Sequence, residues 1–182
     1  MEANADSTLQ AWQAQLDQVR ARRLACGGGQ AGLATRQQIH GMSGLEVMTA
    51  LLDGKLPHPY MADTFDCELV ELGDGSATFQ ATPQLKHYNP LGSVHGGWYA
   101  TLLDFALGCA VQTKLPPGRG YTTSQINVHI VRAAGVNTGP LRCIGTALHV
   151  GRQVGTSEAR IVGPDGRLYA HGSTTCAIFE AP

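Results

Sequence analysis

The stretch NPLGSVHGGWYATLLDFALGCAVQTK, residues 89–114, decides how this chain is read. Pro90 and Gly92 mark a loop, and a helix is predicted to start near His95-Gly96-Gly97. Trp98, Leu102, Phe105 and Cys109 fall on one helical face. Tyr99, Leu103, Ala106 and Ala110 fall on the adjacent one. A helix that is apolar nearly all round is expected to be buried. Between His95 and Lys114 the one carboxylic acid is Asp104, set between Leu103 and Phe105. A carboxylate inside such a helix is costly unless it is paired or hydrogen-bonded. Desolvation would also push its pKa upward. Asp104 therefore reads either as a structural acid satisfied by a backbone amide or an arginine, or as a chemical group.

The residues before it favour chemistry. His-Gly-Gly at a helix start presents unpaired amides and the positive end of the dipole. Gly96 and Gly97 would let a ligand approach the backbone closely. Tight packing of helix against strand is the competing account of the two glycines. Gly96 and Asp104 are eight positions apart, which places them roughly 12 Å apart on one helix. A single carbonyl group cannot touch both. Two copies of the helix, antiparallel about a twofold axis, would bring Gly96 of one towards Asp104 of the other. If both act on one substrate, the active unit is a dimer with shared sites.

Around this helix the pattern is that of strands. Phe65, Cys67 and Leu69 alternate, Gly73-Asp74-Gly75 makes a turn, and Ala77, Phe79 and Ala81 alternate again. Pro116-Pro117-Gly118 ends the helix. Four strand-like runs follow, from about Tyr121 to Arg132, Gly139 to Val150, Val154 to Val162 and Leu168 to Phe179. Asp165-Gly166 is a hairpin turn. One long helix between two strands and four more is an α+β arrangement, an antiparallel sheet wrapped around one long buried helix.

Residues 1–61 read as an N-terminal helical extension, and residues 62–182 as the main domain. Leu9, Trp12, Leu16 and Val19 recur at helical spacing and predict an amphipathic helix from about Thr8 to Leu24, with Ser7 as a possible cap. Gly27-Gly28-Gly29 reads as a flexible link. Ser43 and Glu46 form a capping box for a second helix, with Leu45, Met48, Leu51 and Leu52 on its apolar face and Gly54 as its stop. These helices either cover the substrate mouth, add oligomer contacts or simply dock on the domain surface.

Composition narrows the function. A chain of 182 residues with 43% hydrophobic content supports one domain with an extension. A formal charge of -1 gives no pull towards nucleic acid or an anionic membrane. No apolar run approaches the length of a membrane span, and no signal-peptide pattern is visible. Five cysteines without a C-x-x-C pair fit a reduced, cytoplasmic setting. Cys109, Cys143 and Cys176 read as small buried hydrophobes. No zinc spacing, phosphate-binding glycine loop or nucleophile elbow is present. No metal or cofactor is expected.

The pattern N-x-x-G-x-x-H-G-G, with Asp104 nine residues after His95, resembles the hotdog-fold acyl-CoA thioesterases of the phenylacetate-pathway, PaaI-like group. Thr122-Thr123-Ser124-Gln125-Ile126-Asn127-Val128 looks like the family's central-strand motif, and Gly151-Arg152 with Ser157-Glu158-Ala159 resembles its next hairpin. The likeness covers roughly residues 62–179. It implies a hotdog fold and hydrolysis of a medium-sized or aryl acyl-CoA, in a homodimer or dimer of dimers with active sites shared between subunits. A non-catalytic acyl-CoA-binding hotdog protein is the alternative.

The resemblance also implies roles. The Gly96 amide would donate to the thioester oxyanion. Asp104 would act as general base on water, or as a nucleophile giving a mixed anhydride. Asn89 would orient water or the substrate carbonyl, although an Asn-Pro turn needs such a residue anyway. Thr123 matches a position that holds water in similar enzymes, and Ser124 is its neighbour to test. His95 is expected to fix the loop through a hydrogen bond, and His95, Gly97, Ser124 and Arg152 are the expected substrate-binding residues. Arg152, after a turn glycine, could pair with a phosphate of CoA, with Arg132 and Arg119 as weaker choices. His129 and His149 are expected to face solvent or satisfied partners.

Overall fold

The computed structural model describes residues 2–27 and 30–181. Gly28 and Gly29 of the expected glycine link lie outside the described residues. The order of elements is α1 (Glu2–Ala25), α2 (Arg36–Ile39), α3 (Gly44–Leu52), α4 (Tyr60–Thr64), β1 (Cys67–Gly73), β2 (Ser76–Ala81), α5 (Gly96–Gln112), β3 (Arg119–Ile130), β4 (Leu141–Val150), β5 (Val154–Val162) and β6 (Leu168–Glu180). The six strands form one antiparallel sheet in the order β1-β2-β4-β5-β6-β3. The hairpin turns fall where Gly75 and Gly166 adopt positive φ, at 83° and 78°.

Helix α5 packs along one face of this sheet. Leu103, Ala106, Leu107, Ala110 and Val111 are fully buried there with Leu141, Cys143, Ile161 and Ala170 of the strands. Glycine sets how closely they approach. A Cβ at Gly145 of β4 would lie 2.2 Å from the Ala106 carbonyl oxygen. Polar ties fix the helix in its groove. Ser157 Oγ donates to the Leu107 carbonyl at 2.8 Å, and Tyr99 Oη accepts the Ala134 amide at 2.7 Å. Buried side chains with such partners define one register rather than many.

The extension lies across the domain. Helix α1 begins at Glu2, earlier than the Thr8 start predicted, so Ser7 sits inside the helix and is not its N-cap. Ala5 and Asp6 explain the extra turn, because Ala propagates helices and an acid suits the N-terminal end. Its buried stripe of Leu16, Val19 and Arg23 faces β1, where Arg23 pairs with Glu68 and Gln15 Nε2 donates to the Val70 carbonyl at 3.2 Å. The Arg142 guanidinium stacks over the Trp12 ring at 4.6 Å. The capping box of α3 is present, with Ser43 N donating to Glu46 Oε2 at 2.7 Å and Glu46 N to Ser43 Oγ at 3.3 Å. The Gly44 amide donates to Leu115 at 2.8 Å, tying α3 to the end of α5. Helices α2 and α4 are single turns that no periodicity announces. The boundary at residue 61 falls inside α4.

Candidate active site

His95 is the N-cap of α5. Its Nδ1 accepts the Gly97 amide at 2.9 Å, so the ring caps the helix start. This leaves the Gly96 amide among the first helical donors with no acceptor within the helix. A Cβ at Gly96 would meet only Ile130 Cδ1, at an ordinary 3.5 Å. At Gly97 it would meet the His95 ring at 3.1 Å. Packing against a strand within this chain therefore does not demand glycine at position 96.

Asp104 is not buried. It is exposed on the single chain, in an open stripe of α5 that also carries Gly97 and the half-buried Thr101. The expectation of a desolvated carboxylate is corrected here. The helix turns its fully apolar faces to the sheet and leaves this stripe uncovered. Thr123 Oγ1 donates to Asp104 Oδ1 at 2.9 Å. What aims Thr123 is a bulge. The pairing of β3 with β6 shifts register between Thr123 and Gln125. A bulge adds one residue, bends the strand and redirects side chains. The added residue, Ser124, donates its hydroxyl to the Thr175 carbonyl at 2.8 Å.

The other expected site residues are distributed differently. Asn89 Oδ1 accepts the Leu91 and Ser93 amides at 2.9 and 3.2 Å, while Nδ2 donates to Ser93 Oγ at 3.0 Å. Its side chain holds the loop before α5, as an Asx-type turn does. Arg152 is exposed in the turn between β4 and β5. Its carbonyl accepts from Arg119. That turn lies by the far end of α5, since neighbouring Gly155 packs against Val111. This chain does not bring Arg152 to Asp104. His129 stacks on His171, with ring centroids 4.9 Å apart.

Three cavities flank α5. One of about 310 Å³ holds Asp104 and Thr123, with Met61, Thr101, Phe105 and Ile126 around them. A second, of about 470 Å³, lies at the helix N-terminus, where His87, Tyr88, His95, Gly97 and Thr101 face it. Thr101 lines both, so the two adjoin along the open stripe. A third, apolar and about 310 Å³, lies between α3, α4 and the domain, and Phe105 forms part of its wall. Burial lowers the pKa of His87, whose Nδ1 accepts the Gln84 amide at 3.1 Å. Burial pushes the Cys109 thiol up to about 12, with the Asp104 charge adding to it. Sequence reading missed Met61 and Thr101. A single exposed Met in a one-turn helix leaves no periodic trace, and a Thr on a helix face is unremarkable. Among the described residues, no group of three or more His, Cys, Asp or Glu could hold a metal ion. No helix of the described chain is long and apolar enough to cross a membrane.

Residues 91–170, from the loop before α5 into β6, match the family model of the thioesterase superfamily. Over those residues the sheet-and-helix domain is similar to that superfamily. Its fold is the hotdog fold, six antiparallel strands against one long helix. The domain is similar to a phenylacetic acid degradation-related protein of Ralstonia eutropha, with 27% identity and a TM-score of 0.65 over 71% of this chain and 97% of that one. The PaaI protein of Escherichia coli, from the phenylacetic acid degradation operon, shares the fold at 20% identity and a TM-score of 0.62, over 68% of this chain and 87% of that one. A protein of Halobacterium salinarum described as a "putative esterase" is 39% identical over 75 residues, 40% of this chain and 48% of that protein. The chain thus spans about half the length of that curated relative.

Proposed function

We propose that this protein is an acyl-CoA thioesterase acting on a medium-sized or aryl acyl-CoA. The observation that carries the reading is the Thr123–Asp104 hydrogen bond, beside an open helix N-terminus on the same helix. A thioester needs an oxyanion donor, a means of activating water and a thiol able to leave. Coenzyme A leaves as thiolate, so no strong acid is required. Asp104 takes a proton from water as the water oxygen bonds to the carbonyl carbon. The carbonyl oxygen gains the electron pair, and an amide donor at Gly96 stabilises it. Collapse of the intermediate breaks the C–S bond and releases the acid and the thiolate. Direct attack by Asp104, giving a mixed anhydride that water then opens, uses the same groups.

Gly96 and Asp104 lie on one helix, roughly 12 Å apart by its rise. The proposal therefore pairs Asp104 of one subunit with Gly96 of another, in a homodimer or dimer of dimers. Strand β3 is at the end of the sheet with one edge unpaired in this chain, which suits such an assembly. The open stripe of α5 is then covered by the second subunit. A cytoplasmic setting accords with five free cysteines. Arg152 and Ser124 enter the proposal as contacts to the CoA moiety, and Asn89 as the residue that shapes the loop carrying His95.

The test is thiol release from acetyl, hexanoyl, decanoyl, benzoyl and phenylacetyl-CoA, by wild type and Asp104→Asn side by side. Release by wild type alone supports the reading and names the acyl class. Binding without release by either protein would replace it with a non-catalytic acyl-CoA-binding role.

A further inference from the structure

The apolar cavity between the extension and the thioesterase domain has no part in the chemistry above. Its volume, about 310 Å³, is within the range of small-molecule sites. Val47, Met48 and Leu51 of α3 form one wall, and Leu69, Phe79 and Phe105 of the domain form the other. Cys109 also faces it, as a neutral thiol that adds to its apolar character. A helix that merely docked would close its apolar face against the domain, since interiors are close-packed and voids destabilise. Here Met48 and Leu51 reach the core cluster that holds Leu69 and Phe79, yet a cavity of that size remains among them.

The position of the void gives it an occupant. It shares two walls with the Asp104 cavity. Phe105, the residue after Asp104, lines both. Helix α4 places Met61 against the Asp104 cavity and the adjacent Ala62 against the apolar one. The partition is therefore one aromatic side chain and one turn of helix. Phe105 stacks on Phe79 with ring centroids 5.4 Å apart and lies in the wall of both cavities.

We infer that this cavity receives the acyl group of the thioester, with Phe105 as the gate beside Asp104 and with α3 and α4 setting the size of acyl group that fits. The inference rests on the thioesterase reading for its substrate. It assigns the extension a part in specificity, and the ligand class is a compact apolar acyl group, straight-chain or aryl.

The test uses the full-length protein and two readouts. Binding is measured by calorimetry with S-hexyl-CoA and S-(2-phenylethyl)-CoA, thioethers that cannot be hydrolysed, against CoA itself. Wild type should bind one or both thioethers more than about tenfold tighter than CoA, since each buried methylene adds to affinity. Leu51→Trp should lose that increment and leave CoA affinity unchanged. In turnover, Leu51→Trp should lower kcat/KM for decanoyl or phenylacetyl-CoA at least tenfold and leave acetyl-CoA within about twofold. Leu51→Phe, a smaller change at a half-buried position, should show the same order with less loss and guards against a misfolded variant. Thioethers bound no tighter than CoA by wild type would overturn the assignment. So would equal effects of Leu51→Trp on every ester. Thioether binding that depends on Leu51, with no hydrolysis of any ester, would keep the pocket and refute the hydrolase.

Discussion

Thr123 Oγ1 donates to Asp104 Oδ1 across 2.9 Å, linking β3 to α5 through a strand bulge. The bond engages one carboxylate oxygen of a residue that lines the cavity. Asp104→Asn should keep the fold and lower kcat by about 10²–10⁴, the usual contribution of a positioned base. Thr123→Val should lower kcat by about tenfold to a hundredfold, as expected for a hydrogen bond to a charged group. Thr123→Ser should restore most of it. Steady-state kinetics on the preferred ester checks all three, and full turnover by Asp104→Asn would remove Asp104 from the mechanism.

Two glycines should separate stability from function. At Gly96 an added Cβ meets nothing closer than Ile130 Cδ1 at 3.5 Å, and Ala is worth about 0.5–1 kcal/mol over Gly inside a helix. Gly96→Ala should melt no lower than wild type yet lose turnover, because the methyl stands where a ligand or a second helix approaches. Gly145→Ala should behave in the opposite sense. Its Cβ would collide with the Ala106 carbonyl, and overpacking of this kind costs about 1–3 kcal/mol. Thermal melts by circular dichroism, paired with assays, distinguish the two.

Shared sites make a mixing experiment informative. Asp104→Asn subunits and Gly96→Val subunits, each inactive alone, should regain activity after exchange. Each heterodimer would hold one site with both groups intact. Subunit exchange demonstrated by mass spectrometry, without recovered activity, would count against sites built across two chains.

Stability should fall as the solution is acidified below the ordinary histidine value. His58 and His87 both have pKa values lowered from 6.5, chiefly by burial. In each, Nδ1 accepts a bond, from Arg23 at 3.3 Å and from the Gln84 amide at 3.1 Å. As pH drops through 6.5 the unfolded chain takes up these protons before the native one does. The native state thus loses stability from about pH 6.5 downward and keeps it in full above. The double variant His58→Asn with His87→Asn should show a flatter decline of Tm between pH 7.5 and 5.5. An unchanged slope would assign the pH response to other groups.

Thiol chemistry should sort the cysteines. Cys26 is exposed, whereas Cys67, Cys143 and Cys176 are buried and the Cys109 thiol is pushed up to about 12. Reaction follows the exposed thiolate. An aromatic disulfide reagent should titrate one fast thiol on the native protein, and Cys26→Ser should abolish that phase. Two or more fast thiols would mean that α5 and the sheet open readily.

Local chemistry made much of the fold readable from residues alone. The turns at Gly75 and Gly166, the capping box of Ser43 with Glu46 and the span of α5 are each decided within a few neighbouring positions. Helix α1 was less readable at its start, because a capping residue such as Ser7 is also tolerated inside a helix when Ala and Asp precede it. The site divided in the same way. His95 as a cap follows from its place before two glycines. The exposure of Asp104 does not, since apolar neighbours along a helix do not say which stripe the sheet leaves open. The aim of Thr123 depends on a bulge whose register is set by β6, some fifty residues away.

Helix α4 straddles the point where sequence alone would divide the protein, with Met61 on one side of that point and Ala62 on the other. A fragment trimmed to residues 67–181 would still contain the sheet, α5, Asp104 and Thr123. It would lack the floor of one cavity and the roof of another. Such a fragment could fold and still misreport what the full-length protein prefers to bind. Libraries built by grafting this domain should therefore carry residues 43–66 along with it, and swapping that segment between homologues is a route to new preferences that leaves the central strands untouched.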